Sequence, residues 1–213
     1  MKVAILGSGM VGQMVGTGFA ARGHEVVLGT RDPSQEKLVA WVKGAGEGAR
    51  AATFAEAAAF GEVAVLATLW SGTRSAIELA GPANLRGKVV IDVTNPLDFS
   101  SGRPRLALGW SDSGGEQVQR WLPGSRVVKT WNIVTAATMV SPMREEGLPD
   151  MWMAGNDPEA KRAVSAILAE FGWPVFDLGG IEGARLLEPM AMVWIHHFVQ
   201  TKDFRHAFKM LRR

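Results

Sequence analysis

The chain has 213 residues, with 23 lysines and arginines against 21 aspartates and glutamates, so its formal net charge is only +2. Before the last few residues there is no run of basic residues, and no window of 18 apolar residues occurs anywhere, so we expect no nucleic-acid partner, no membrane span and a cytoplasmic location. Cysteine and tyrosine are both absent, which excludes disulfides, thiolate metal sites, cysteine nucleophiles and the tyrosine–lysine acid/base pair of one large reductase class.

The first predicted strand leads directly into a glycine-rich loop. Residues 3–6 are apolar, the apolar positions beyond the loop have the spacing of a buried helix face, and the loop itself reads Gly7-Ser8-Gly9-Met10-Val11-Gly12. In this strand–loop–helix setting a G-x-G-x-x-G pattern predicts a dinucleotide site. Gly7 permits the tight turn, Gly9 lets the backbone approach a pyrophosphate, and Gly12 allows close helix–strand packing. The helix N-terminus supplies free N–H groups for the phosphates.

The end of the second predicted strand, residues 24–28, favours NADP(H) over NAD(H). An NAD site places an acidic residue there to hold the ribose 2′-hydroxyl, whereas this strand runs into Thr30 and Arg31. Arg31 offers a planar guanidinium to a 2′-phosphate, and Thr30 and Ser34 offer hydroxyls beside it. Lys37 could add positive charge one helical turn beyond Ser34. Asp32 argues against NADP(H), because it is acidic and lies only one position after Arg31. We therefore predict an NADP(H) site.

Strands and helices alternate along the rest of the chain. We predict strands at residues 62–68, 88–94, 126–131, 151–155 and 174–178, and helices at residues 32–43, 55–60, 72–79, 115–121 and 157–171. This alternation predicts an α/β fold of the Rossmann type, with a doubly wound, mostly parallel sheet. Residues 98–115, rich in Ser, Gly and Pro, are predicted to form a mobile flap.

The C-terminal part of the chain has a different character, with a long helix predicted over residues 186–208. We expect residues 1–180 to form the NADP-binding domain. Residues 181–213 are expected to form a short helical appendage that completes the site or a homodimer interface.

Ligands of such sheets lie outside the carboxyl ends of the strands, and three polar turns follow predicted strands there. These turns contain Thr68 and Leu69, then Asn95, and then Asn132 to Thr138 with Ala136 inside that stretch. Each could also be an ordinary strand-to-helix turn, because Asn, Pro and Thr favour turns. Together they predict the nicotinamide end of the site.

No convincing general acid or base is evident. The four histidines are His24, His196, His197 and His206. His24 is expected to be structural, the adjacent pair points about 100° apart on a helix, and His196 and His206 are expected to be partly exposed helix residues. No metal-binding spacing occurs, so we expect no metal site. A solvated or ion-pairing face is predicted on the C-terminal helix, formed by Glu182, Arg185 and Glu188. Arg185 could alternatively hold an acidic ligand.

Several motifs in order resemble one family. The chain is similar to the NADP oxidoreductases typified by coenzyme F420-dependent NADP reductases, a group that includes the cytosolic domain of six-transmembrane ferric reductases. The resemblance rests on the glycine loop and on Gly23-His24-Glu25-Val26, Gly29-Thr30-Arg31, Asp92-Val93-Thr94-Asn95-Pro96, Val128-Lys129-Thr130-Trp131-Asn132 and Ala184-Arg185-Leu186-Leu187-Glu188. It covers almost the whole chain.

The resemblance implies direct hydride transfer between NADPH and the ring of a deazaflavin or flavin. It implies that Thr30 and Arg31 hold the 2′-phosphate and that Thr68 and Leu69 line the cofactor groove. It further implies that residues 132–136 lie at the nicotinamide and that residues 186–190 close over the second ring. Archaeal deazaflavin-dependent members carry a histidine where this chain has Asn132, so a flavin, a quinone-like ring or an imine stays open as the acceptor.

Two alternatives remain at this point. One is a small-molecule imine or carbonyl reductase, although about 30 residues after Glu182 are few for the helical domain of those enzymes. The other is a non-catalytic NADP-sensing module, which would keep the glycine loop and need no acid or base.

Overall fold

The computed structural model describes residues 1–142 and 147–211 as alternating strands and helices. The first half contains β1 (Lys2–Leu6), α1 (Met10–Ala20), β2 (Glu25–Thr30), α2 (Glu36–Ala45), β3 (Ala49–Thr53), α3 (Phe54–Phe60), β4 (Val63–Leu66), α4 (Trp70–Ala80), α5 (Pro82–Leu85) and β5 (Val89–Asp92). The second half contains β6 (Leu97–Asp98), β7 (Arg105–Leu106), α6 (Gly114–Trp121), β8 (Arg126–Lys129), α7 (Ala136–Val140), β9 (Met151–Gly155), α8 (Pro158–Glu170), β10 (Val175–Asp177), a 3-10 turn (Ile181–Gly183) and α9 (Ala184–Thr201). The last two residues of the predicted segment 181–213 lie outside the described residues.

Eight of the described strands form one sheet in the order β10-β9-β8-β5-β4-β1-β2-β3. Neighbouring strands are parallel except β8 and β9, which are antiparallel. The predicted Rossmann-type, mostly parallel sheet is therefore confirmed. The chain runs outward from β1 through β2 to β3 and then returns to β4 on the other side of β1, which creates the crevice where such sheets bind ligands.

The core lies on both faces of this sheet. In β1, Val3 and Ile5 belong to one buried cluster, whereas Ala4 and Leu6 belong to the other. Successive side chains of a strand point to opposite faces, so a central strand covered by helices on both sides must be apolar at every position. This is why residues 3–6 appear in the sequence as an uninterrupted apolar run.

Two predicted helices have different bounds in the structure. The helix predicted at 32–43 begins only at Glu36, because Asp32 Oδ1 accepts hydrogen bonds from the Ser34 amide and hydroxyl and forms a turn first. The helix predicted at 186–208 runs from Ala184 to Thr201, because Lys202 adopts a left-handed conformation with φ 61° and ends it.

Several short elements were not predicted. β3 is rich in alanine, and its sequence, ARAAT, lacks the β-branched pattern of a strand. The predicted flap, residues 98–115, contains β7, which pairs with β6 as an antiparallel hairpin, and the first residues of α6. The helices α5 and α7 span 4 and 5 residues, too few for a periodic pattern.

Candidate functional site

The glycine loop packs too tightly against the sheet to carry side chains at two of its positions. Gly7 has φ +131°, and a Cβ atom there would lie 2.3 Å from the carbonyl oxygen of Ala67. A Cβ atom on Gly12 would lie 1.9 Å from the carbonyl oxygen of Gly7. The loop therefore folds in this form only with glycine at both positions.

Gly9 differs because it faces open space. It is the extended N-cap of α1, its helix end has no side-chain cap, and a Cβ atom added there would meet nothing within 4 Å. The first N–H groups of α1 therefore lack side-chain partners, at the positive end of the helix dipole. This geometry fits a pyrophosphate, which needs backbone N–H donors and close approach to the main chain.

The end of β2 provides the hydroxyl and guanidinium groups predicted for the 2′-phosphate. Thr30 is buried, and its Oγ1 lies 3.1 Å from Oγ of Ser8 in the glycine loop. Arg31 is exposed and makes no hydrogen bond or ion pair with another described residue. Asp32 is turned toward Ser34, whose hydroxyl and amide hydrogen bonds lower the pKa of its carboxyl group. The Ser34 hydroxyl is thus already engaged.

Two asparagines meet at the carboxyl edge of the sheet. Asn95 Nδ2 donates to the carbonyl oxygen of Asn132 at 2.8 Å, and Asn132 Nδ2 donates to Asn95 Oδ1 at 2.9 Å and to the carbonyl oxygen of Leu187 at 3.1 Å. The two carbonyl acceptors fix the orientation of both amides. Asn132 Oδ1 is buried without a hydrogen-bond partner among the described residues. The pair therefore ties the sheet edge to α9.

A strained residue precedes this pair. Trp131 has φ 60° and is fully buried, with its ring edge-on to Phe19 and Phe171 at centroid distances of 6.3 and 5.1 Å. The left-handed region is costly for a bulky side chain, by about 1–3 kcal/mol, and persists only where the surrounding packing enforces it. The aromatic contacts thus hold the turn that orients Asn132.

The remaining predicted residues flank these groups. Thr68 lies against the glycine loop, since a Cβ atom on Gly7 would lie 3.2 Å from its Cγ2, and its hydroxyl is 2.9 Å from that of Thr73. Leu69 is the exposed N-cap of α4. Ala136 is the buried first residue of α7. The structure thus joins Ser8 to Thr30, Gly7 to Thr68, and Asn95 to Asn132.

Sequence reasoning missed a buried ion triad at the same edge. Lys129 Nζ lies 3.0 Å from Asp92 Oδ2, 3.0 Å from Glu188 Oε1, and 2.5 Å from the carbonyl oxygen of Thr94. Burial acts to lower the pKa of Lys129, but the negative charges of Asp92 and Glu188 outweigh it and raise the pKa. The only sequence signal was a lysine at the end of the otherwise apolar strand β8.

The triad also fastens two helices to the sheet. The Glu188 carboxylate accepts hydrogen bonds from the backbone amides of Gly114 and Gly115, at 3.0 Å each, at the N-terminus of α6. The sequence predicts a solvated or ion-pairing face here. Glu188 is only 1% exposed, so it is not solvated, but it does form an ion pair, with Lys129. Arg185 pairs with Glu116 of α6, and that hydrogen bond lowers the pKa of Glu116 against the effect of burial.

His24 and His206 contact residues outside this group. His24 pairs with Glu170 of α8 at 2.9 Å. His206 lies beyond the end of α9 and stacks on Trp194 at 4.4 Å, so its predicted place in a helix is wrong. Among residues 1–142 and 147–211, no cluster of three or more His, Asp or Glu side chains could hold a metal ion. None of the helices described there is long and apolar enough to cross a bilayer.

Comparison with known proteins places these features in one family. The family described as NADP oxidoreductase coenzyme F420-dependent matches residues 2–96. The chain is 29% identical to the F420-dependent NADP reductase of Methanothermobacter thermautotrophicus over 95% of this chain and 91% of that protein. It is 29% identical to metalloreductase STEAP3 of Rattus norvegicus over 90% of this chain, but it spans only 36% of the rat protein.

A solved structure from Arthrobacter sp. FB24 matches over the full length of both chains. That protein, provisionally named an F420-dependent NADP reductase, is 39% identical and superimposes with a TM-score of 0.95. Similarity at this level over the whole chain extends beyond the segment that the family pattern covers. The chain belongs to the coenzyme F420-dependent NADP oxidoreductase family and is an NADP-dependent oxidoreductase.

Proposed function

We propose that this enzyme transfers hydride between NADPH and a planar redox ring, such as that of the deazaflavin coenzyme F420 or a flavin. The observation that carries the proposal is the chemistry of the carboxyl edge. The ionisable groups described beside the Asn95–Asn132 pair are committed to one another: Lys129 to Asp92 and Glu188, and Arg185 to Glu116. None of them is free to donate a proton to a substrate.

Direct transfer between two rings suits such an edge. The nicotinamide supplies or accepts the hydride when NADP(H) is bound, and the protein aligns the rings and excludes water. An imine or carbonyl reductase would need a positioned proton donor as well. The rigid Asn95–Asn132 pair and the overlying α9 provide alignment without acid/base groups.

The residues proposed to hold NADP(H) form a continuous path along the glycine loop and the strand ends. The loop would bind the pyrophosphate through the open N-terminus of α1. Thr30 and Arg31 would bind the 2′-phosphate, and the Ser34 hydroxyl would join them by exchanging its hydrogen bond to Asp32 Oδ1 for one to the phosphate. The groove toward the nicotinamide would be formed by Thr68, Leu69, Asn95, Asn132 and Ala136.

We propose further that residues 1–180 act as the NADP-binding domain and that residues 181–213 complete the site. The hydrogen bond to Leu187 and the ion pair of Glu188 support this division of roles. The exposed Leu186 and Val193, two turns apart on α9, would form a homodimer contact. Light scattering of the chain and of a Leu186→Glu/Val193→Glu variant tests the dimer: the wild-type mass should be that of two chains and the variant's that of one.

One assay tests the proposed reaction. Purified protein is mixed with NADPH and oxidised F420, and the deazaflavin absorbance is followed, with NADH, FMN and a cyclic imine in parallel reactions. We expect bleaching of F420 or FMN with NADPH and a rate nearly independent of pH, because no ionisable donor takes part. Turnover of the imine alone, with a bend in the pH–rate profile, would contradict the proposal. NADPH binding without any turnover would favour a sensing module.

The cofactor assignment has its own test. Arg31→Ala should weaken NADPH binding by at least about tenfold, the equivalent of one charge-assisted hydrogen bond, and leave NADH binding nearly unchanged. Arg74→Ala, an exposed arginine on α4, is the matched control and should change neither. An equal loss for both dinucleotides would refute the role of Arg31.

A further inference from the structure

An exposed tryptophan stands on the loop between β7 and α6. Trp110 is 99% exposed, whereas the other seven tryptophans of the chain are buried or partly buried. Its indole makes no ring contact and no hydrogen bond with another residue in the described part of the chain. Packing within this chain therefore does not account for an indole at this position.

The backbone of Trp110 is strained as well. Its φ is 57°, in the left-handed region that a bulky side chain seldom adopts. Trp131 has nearly the same φ, but the packing of its ring against two phenylalanines holds it there. Trp110 has no such packing, and its conformation belongs to a turn in which the next two amides donate to the carbonyl oxygen of Gly109. Strain without compensating contacts is typical of active sites and ligand contacts.

Both ends of this loop, residues 107–114, are held at the carboxyl edge of the sheet. The amide of Ala107 donates to the carbonyl oxygen of Pro96 at 2.7 Å, and the amide of Gly114 donates to the glutamate of the buried ion triad at 3.0 Å. The two ends also meet each other, since a Cβ atom on Gly114 would lie 3.3 Å from Cδ of Pro96. The 107–114 loop is therefore closed at its base, directly after Asn95 of the asparagine pair.

The length of the loop limits how far Trp110 can lie from that edge. Trp110 is three residues from Ala107 and four from Gly114, so its Cα atom lies within about 11 Å of the first and about 14 Å of the second. Near its second end the loop is fastened to α6, because Asp112 pairs with Arg120 at 2.7 Å. The indole is therefore confined to the neighbourhood of the proposed nicotinamide end of the site.

We propose that Trp110 binds the hydride acceptor by stacking its indole on the acceptor ring, on the face opposite to the nicotinamide. The proposal rests on the transfer between two rings proposed above. In that transfer one face of the acceptor ring lies against the nicotinamide, and the other face needs a cover that excludes water. An indole offers a flat apolar surface that stacks on many conjugated rings, because each of them has a π-face. The ligand class is thus a planar conjugated heterocycle.

A second copy of the chain is the competing partner for this tryptophan. The position of the loop favours the acceptor ring, because both of its ends are fixed beside the asparagine pair. The proposed dimer contact lies instead on α9, at Leu186 and Val193. The two partners are separable, since loss of an interface changes the molecular mass in solution and loss of a ring contact does not.

The experiment measures the binding of oxidised FMN and oxidised F420 to the enzyme saturated with NADP⁺, by the change in their fluorescence. NADP⁺ fills the nicotinamide site without reducing the ring, so binding is measured without turnover. The variants are Trp110→Ala and Trp110→Phe. Phe99→Ala is the matched control, because Phe99 is an exposed aromatic residue in the turn at the opposite end of the β6–β7 hairpin.

Trp110→Ala should weaken binding of the ring about tenfold, within the range found when one aromatic stacking partner is removed. Trp110→Phe keeps a smaller aromatic face and should weaken binding about threefold or less. In turnover, Trp110→Ala should raise the KM for the acceptor and leave the KM for NADPH unchanged. The melting temperature should not fall, because the indole packs against nothing in the described part of the chain. Phe99→Ala should change none of these quantities.

Each other outcome overturns the proposal. Unchanged ring binding in Trp110→Ala, with a wild type that binds a ring, would remove Trp110 from the site and leave the proposed function standing. An equal effect of Phe99→Ala would make the contact a general apolar one. A mass that falls from two chains to one in Trp110→Ala, measured by light scattering, would assign the indole to a dimer interface. A wild type that binds NADPH but neither ring would refute the proposed function and this proposal with it.

Discussion

Replacement of Lys129 by methionine should destabilise the fold far more than replacement of any exposed cation. Lys129→Met keeps the length and much of the volume of the side chain but removes the positive charge between Asp92 and Glu188. Removing one partner of a buried ion pair costs roughly 3–5 kcal/mol, because the remaining charges stay buried without compensation. In this triad the change leaves two carboxylates and no cation.

The local hydrogen bonds place the expected loss near the lower end of that range. Asp92 still accepts hydrogen bonds from the amide and hydroxyl of Thr94, at 2.9 and 2.7 Å. Glu188 still accepts two backbone N–H groups from α6. We therefore expect a loss of about 3 kcal/mol, which for a chain of this size lowers the melting temperature by about 10 °C.

Thermal and urea unfolding, followed by circular dichroism, measure this loss. Because folding raises the pKa of Lys129 above its ordinary value of 10.5, the stabilisation is complete below that pH and is lost only as the pH rises through the folded-state pKa. The difference between wild type and variant should thus be constant from about pH 7 to pH 9. Arg74→Met removes an exposed ion pair and should cost under about 1 kcal/mol. Equal losses of stability for Lys129→Met and Arg74→Met would refute the argument that the burial of the charges sets the cost.

Three further substitutions give sharp expectations. Gly9→Ala should leave the melting temperature unchanged, because its Cβ atom meets nothing within 4 Å, but should weaken NADPH binding about tenfold by filling the approach to the helix N-terminus. Gly12→Ala should instead lower the melting temperature by several degrees, since its Cβ atom would overlap the carbonyl oxygen of Gly7; a pair of variants with the same behaviour would contradict both expectations. Glu116→Gln removes the partner of Arg185, and the pKa of Glu116 is lowered from its ordinary value of 4.5, so its contribution to stability is present above that pH and is lost as the pH falls through the folded value. The wild type should therefore melt higher than this variant at pH 7, with the difference in melting temperature shrinking as the pH falls below 4.5. A difference that persists in strong acid would exclude the ion pair as its cause.

Much of the fold could be predicted because its signals are local. The apolar run before Gly7 and the strand at Met151–Gly155 carry their burial in a few consecutive residues, and the prediction of the second matches the observed bounds. β3 was not predicted because alanine favours helices and is depleted in strands, and the strand conformation of this segment comes from its pairing with β2. The end of α9 depends on the conformation of Lys202, a residue whose type gives no indication of it.

The candidate site likewise contains one part that the sequence predicts and one part that it does not. The glycine loop is a contiguous motif, so each glycine could be given a reason from the sequence alone. Lys129, Asp92 and Glu188 are far apart in the chain and become neighbours only when two strands and α9 come together. Because a glutamate on a helix is almost always exposed unless it is paired, the sequence predicts a solvated or ion-pairing position for Glu188. An ion pair between residues so distant in the sequence cannot be predicted without knowledge of the fold.

The late position of Glu188 in the chain has a consequence for biosynthesis. Ribosomes release the strands β1 to β5 and their helices first, and the glycine loop needs nothing from later residues for its backbone contacts. Until α9 emerges, the amides of Gly114 and Gly115 lack their carboxylate and Lys129 has Asp92 as its sole countercharge. The backbone of the glycine loop can thus form before α9 is synthesised, whereas the triad of Lys129, Asp92 and Glu188 is completed only once α9 has emerged.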